Sequence, residues 1–158
     1  MNVAQRMEAF LAFSAEVTAF TAFQLRGTGM AGTYLDTVVR VVGAAIPDDL
    51  LRAHALAPHP LGSDRASRDA HLRLAIFGDA RLGPVARNII KLWYLGIWYE
   101  LPRAWIEAHG AGAANVKFMV SAQAYTEGLL WPAIGANPPG AKAPGYASWV
   151  GPPQIPTF

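Results

Sequence analysis

The sequence predicts an all-α fold: one compact helical domain of about five to six helices over residues 1–132, then an extended arm over 133–158. Three observations carry this. Apolar residues recur three or four apart along most of the chain as far as Trp131, the spacing of one helix face. Glycine and proline mostly punctuate the periodic stretches. Beyond Trp131 the texture changes: Pro132, Pro138, Pro139, Pro144, Pro152, Pro153 and Pro156 crowd together, and no charge follows Lys142.

The first helix is expected over residues 3–25, with Val3, Met7, Phe10, Leu11, Phe13, Val17 and Phe20 recurring along it. Gly27, Gly29 and Gly32 stop it. A second runs from Thr33 to Ala44, with Tyr34, Leu35, Val38, Val39 and Val42 on one side. Pro47 opens a third, and Asp48 and Asp49 fall in its first turn, where negative charge suits the helix dipole. His54 to Ser63 reads as a loop, with Pro58, Pro60 and Gly62. Ser67 to Phe77 reads as a further helix. Pro84 begins the next, carried to Leu101; its run from Ile89 to Tyr99 is apolar on nearly every side, the mark of a central helix. Gly96 within that run implies the close approach of a neighbour. Pro102, Gly110 and Gly112 mark a junction, and Val116 to Trp131 reads as the last helix, ended by Pro132. In the arm, Tyr146, Trp149, Val150, Ile155 and Phe158 are too apolar for a solvated tail, so an extended segment lying on something is expected.

Composition narrows the function. Hydrophobic residues make up 53% and charged residues 15%, against roughly 25% charged in ordinary soluble chains. Surface buried against a partner is the simplest explanation. Net charge is +2. Arg52, Arg65, Arg68, Arg73, Arg81, Arg87 and Lys91 are interspersed with Asp64, Asp69 and Asp79, a solvated helix face rather than a nucleic-acid-binding run. Without cysteine the chain forms no disulfide, thiolate nucleophile or cysteine-bound cluster. Met1 to Arg6 lacks the charged-then-apolar order of a signal peptide. Phe10 to Phe23 contains Glu16 and is shorter than the roughly 20 residues of a membrane span.

No stretch reads as an active site. Gly27-Thr28-Gly29-Met30-Ala31-Gly32 matches G-x-G-x-x-G, but dinucleotide binding needs a strand before it, and the preceding segment has helical spacing. A glycine helix stop is the competing reading. His54, His59, His71 and His109 show no three- or four-residue spacing for a metal. The serines lack a nucleophile-elbow context. Glu100 and Glu107 stand two helical turns apart, but Pro102 interrupts the helix between them. The five tryptophans, Trp93, Trp98, Trp105, Trp131 and Trp149, all lie in the second half. Trp93 and Trp98 suit a core, whereas Trp149 on a proline-rich arm suits an interface.

Three segments together resemble one family. Phe10-Leu11-Ala12-Phe13-Ser14-Ala15-Glu16-Val17-Thr18 is similar to the opening helix of the small subunits of FAD-dependent sorbitol, fructose and glucose dehydrogenases. Ile90-Lys91-Leu92-Trp93-Tyr94-Leu95-Gly96-Ile97 resembles that family's Trp-Tyr-x-Gly helix. Tyr125-Thr126-Glu127-Gly128-Leu129-Leu130-Trp131, followed by Pro144-Gly145-Tyr146-Ala147-Ser148-Trp149-Val150-Gly151-Pro152-Pro153, resembles its last helix and its closing arm.

The resemblance implies a non-catalytic subunit that binds, stabilises and helps mature a large GMC-type flavoprotein. That partner would carry FAD, the catalytic histidine and, in many members, an iron–sulfur cluster; a multihaem cytochrome c often completes the complex. This chain would hold no cofactor and no metal and meet the membrane only through the complex. Partner binding is expected at Tyr125, Trp131, Tyr146, Trp149, Val150 and Ile155. A periplasmic location is implied, although the twin-arginine signal typical of the family does not precede the first motif. The alternative is a stand-alone small-molecule or nucleotide-binding helical protein that uses the glycine loop.

Overall fold

The computed structural model describes residues 1–58 and 65–141. The fold is all-α, with one two-residue strand pair among the described residues. Its centre is a cluster of four helices, α1 (Val3–Thr18), α3 (Ala31–Val42), α4 (Ala45–Ala55) and α6 (Leu82–Leu95), each packed against the other three. Phe10, Phe13, Tyr34, Val38, Leu50, Leu51, Ile89, Leu92 and Trp93 from these helices form the core and are almost wholly buried. None of the helices in the described residues is long and apolar enough to cross a membrane.

Local chemistry sets where each helix begins and ends. The Asn2 side chain accepts from the Gln5 amide at 2.8 Å while the Gln5 side chain accepts from the Asn2 amide at 3.1 Å, a reciprocal cap on α1. The helix expected over 3–25 is divided in two. Ala19 adopts the left-handed conformation at φ 59°, and Thr21 with Gln24 caps the short α2 (Ala22–Gly27). Gly43, at φ 77°, ends α3. The expected loop from His54 begins too early: His54 and Ala55 belong to α4, and His54 is buried.

The segment from residue 65 is α5 (Arg65–His71), which runs directly into a π-helix, Leu72–Phe77. α6 then starts at Leu82, so Pro84 is its third residue, still within the first turn where a missing amide donor costs nothing. It ends six residues before Leu101. Gly96 sits at φ 67°, beyond the last helical residue, and its amide donates to Leu92 O at 2.9 Å.

The chain then leaves helical structure. Ile97–Trp98 forms β1, antiparallel to β2 (Phe118–Met119), with Trp98 opposite Phe118. Buried Asn115 fixes this bend: its Oδ1 accepts from Trp98 Nε1 at 3.2 Å and from the Leu101 amide at 3.1 Å. α7 (Arg103–His109) follows Pro102. The helix expected from Val116 to Trp131 is instead β2, α8 (Ala122–Thr126) and α9 (Leu130–Ile134). Pro132 is the third residue of α9, so it belongs to a first turn rather than ending a helix. The arm expected over 133–158 lies outside the described residues from 142 onward.

Candidate functional site

The first two segments that carry the family resemblance and residues 125–131 of the third meet at one place; residues 144–153 lie outside the described residues. Phe10 of α1 stacks on Trp93 of α6 with ring centroids 6.2 Å apart, and Tyr34 of α3 meets the same indole edge-on at 5.0 Å. Tyr94 Oη donates to Thr18 O at 2.9 Å, tying α6 to the end of α1. The Leu129 amide donates to Trp93 O at 2.9 Å, a backbone hydrogen bond between the third segment and the second, and the Val120 amide just before the third segment donates to Gly96 O at 2.9 Å.

Two glycines allow that contact. A Cβ at Gly96 would stand 2.5 Å from Ala124 O, and one at Gly128 would stand 2.8 Å from Tyr94 O. The expected close approach at Gly96 is therefore present, but at a helix terminus rather than within a helix.

Of the residues expected to bind a partner, Tyr125 and Trp131 are brought together. Their rings pack edge to face at 5.4 Å, and Trp131 Nε1 donates to Tyr125 O at 2.7 Å. Both are half-buried. Trp131 faces a cleft of about 370 Å³ whose walls include Phe20, Thr28, Leu129 and Pro132. On the two helices flanking it, Phe23 and Ile134 stand in solvent at 86% and 56% exposure. The other expected partner residues, Tyr146, Trp149, Val150 and Ile155, lie outside the described residues.

The glycine motif also reaches this cleft, through Gly27 and Thr28. It is preceded by helix α2, so the strand that a dinucleotide loop requires is absent there. Its turn is closed locally: Thr28 Oγ1 donates to Leu25 O at 2.7 Å and accepts from the Met30 amide at 3.1 Å, with Gly29 at φ 69°. Gln123 of α8 donates to Thr28 O at 3.2 Å from across the cleft.

Among the described residues, no group of three or more histidine and acidic side chains is placed to hold a metal. Glu100 precedes α7, and Glu107 bonds Arg103 at 2.8 Å, so the two glutamates share no helix. His109 packs edge-on against Trp105 at 5.3 Å. His59 lies outside the described residues.

One cluster escaped the sequence reading. Glu16 of α1 takes the Nε and Nη2 hydrogens of Arg68, and its Oε2 lies 2.6 Å from His54 Nε2. Burial works to raise the Glu16 carboxyl, but the Arg68 and His54 hydrogen bonds outweigh it and hold the group below its usual range. Burial, with the charge of Glu127 adding to it, pushes the Tyr34 phenol up. The one signal for the cluster in the sequence was a lone Glu16 inside an apolar helix. Its partners lie 38 and 52 residues away. Comparison with known protein families, with curated proteins and with solved structures gives no significant match to this chain.

Proposed function

We propose that this chain is a non-catalytic small subunit that binds, stabilises and helps mature a GMC-type FAD-dependent sugar or alcohol dehydrogenase. The observation that carries the reading is the convergence of the first two resembling segments and residues 125–131 of the third on Trp93, Tyr94, Gly96 and Gly128. The described residues of these segments, separate in the sequence, are here one interlocked unit. The exposed apolar side chains beside the cleft and the low charge content of the chain fit a subunit that finishes its surface against a partner. In this reading FAD, and in many members an iron–sulfur cluster, belong to the partner. A cytochrome c subunit and a periplasmic location follow from the same resemblance.

The test is co-expression with a GMC-type flavoprotein from the same genome, with purification through a tag on this chain. The expected result is a stoichiometric complex that carries flavin absorbance, with none in this chain purified alone. Trp149→Ala is expected to weaken the complex by about 30-fold, the scale of a truncated interface tryptophan. The helical circular dichroism of the isolated subunit is expected to stay unchanged. A folded chain that does not associate with the flavoprotein, or that carries stoichiometric cofactor by itself, would sink the proposal. The second reading, a stand-alone small-molecule binder, draws on the glycine turn that forms part of the cleft. Nucleotide titration of the isolated chain separates it from the first.

A further inference from the structure

We propose that α5 is a hinged flap on α1 and α4, held shut by the Glu16–Arg68 latch and free to open while the four-helix core stays folded. The first support is what α5 lacks. None of its residues is buried, and Arg65, Ala66, Ser67 and Ala70 are exposed. Its main packing neighbour is the π-helix that continues it. Apolar burial therefore contributes little to keeping it docked.

The second support is what does hold it. Arg68 grips Glu16 of α1 with two nitrogens and turns its third toward the backbone, donating to Pro58 O at 2.5 Å. Arg68 Nη2 also lies 3.4 Å from His54 Nε2. His71, one turn on, donates through Nε2 to Ala53 O at 2.8 Å. Among the described contacts to α1 and α4, these fall on two side chains, so loss of one carboxylate removes the forked one. A forked guanidinium–carboxylate contact depends on geometry and is not replaced by an amide.

The third support is the hinge. α5 passes without a break into the π-helix Leu72–Phe77, whose Leu72 and Ile76 are buried against the core. The wide-turn bond from the Gly78 amide to Arg73 O, 2.7 Å, closes that element. π-helical turns are rare and occur frequently at functional sites, and this one marks where the helix changes from an exposed half to an anchored one. The anchored half thus lies on the C-terminal side and the latched half on the N-terminal side.

Amide hydrogen exchange on the full chain tests this. Segments that open locally exchange independently of global unfolding. In Glu16→Gln the amides of Asp69, Ala70 and His71 are expected to exchange about tenfold faster or more than in the wild type. Those of Ile89 and Leu92 in α6 are expected to change by less than about twofold. Arg68→Lys, which keeps the charge and loses the fork, is expected to fall between. Unchanged α5 amides in both variants would overturn the proposal. So would an equal acceleration in α5 and α6, which would make the cluster part of the global core. Should Glu16→Gln not fold, the same two sets of rates in Arg68→Lys decide.

Discussion

The junction around Trp93 and the attachment of α5 are built on opposite principles. At the junction, backbones meet at glycine, aromatic rings stack, and amides of one segment donate to carbonyls of another. At α5, a surface helix is held to α1 and α4 through the side chains of Arg68 and His71 among the described contacts. Packing of the first kind is spread over many atoms and fails only when volume or backbone is disturbed. Polar fastening of the second kind is concentrated in a few groups, and a single change of charge removes most of it. The molecule thus combines a part that resists perturbation with a part that can be released.

The largest expected effect attacks the junction. Gly96→Val introduces a Cβ where Ala124 O stands 2.5 Å away, at φ 67°. The left-handed backbone costs a side chain about 1–2 kcal/mol and the clash about 1–3 kcal/mol more. A loss of about 3 kcal/mol is expected in urea unfolding, with α6 and α8 amides affected together. A variant as stable as the wild type would show that the junction yields as easily as α5, and the contrast between the regions would disappear.

Acid provides a milder probe that acts on the polar contacts alone. Glu16 is held below its usual range by Arg68 and His54 against the cost of burial, and Asp48 is held down chiefly by its hydrogen bonds from Arg6. Both folded carboxyls are depressed, so their contribution is present in full above the unfolded carboxyl range. It is lost as pH falls through the folded values. Stability is expected to hold from pH 7 to about 5 and to decline below about 4. Within that decline the α5 amides are expected to lose protection before those of Ile89 and Leu92. Simultaneous loss would contradict a separately latched α5. Glu16→Gln is expected to flatten the acid slope.

Legibility in the sequence follows the same division. The buried residues of α3 and α6 were readable because apolar patterning is a local record of burial, and Tyr34, Val38, Leu92 and Trp93 are indeed buried. The break after Thr18 was partly readable, since Thr21 and Gln24 have capping-box spacing, yet the left-handed residue there is alanine rather than glycine. The run from Ile89 to Tyr99 concealed a change of structure. Apolar residues continue through Gly96 because the helix and the following strand are both buried, and burial does not distinguish helix from strand. Tyr125 and Trp131 were each singled out as partner-binding aromatics, but their mutual packing was not legible, because the single helix expected over Val116–Trp131 is broken between α8 and α9. The Glu16, His54 and Arg68 cluster was not, because charge pairing across 38 and 52 residues leaves no periodicity.

The smallest expected effect gives the comparison its baseline. Arg103 and Glu107 form an ion pair at 2.8 Å, one helical turn apart on α7, with side chains 91% and 65% exposed. By distance alone it resembles the contacts of Glu16. The difference is solvent: Arg68 and Glu16 are 15% and 23% exposed, so water screens the α7 pair far more. Holding two long side chains together in water costs entropy that nearly offsets the attraction. Arg103→Ala is therefore expected to change the urea midpoint by the equivalent of less than about 0.5 kcal/mol and to leave α5 exchange untouched. The residual effect is expected to vanish by about 1 M salt, where the screening length is about 3 Å. If Arg103→Ala proved as costly as Glu16→Gln, burial would not be what separates a fastening contact from an incidental one. The assignment of the latch to Glu16 would then lose its physical basis.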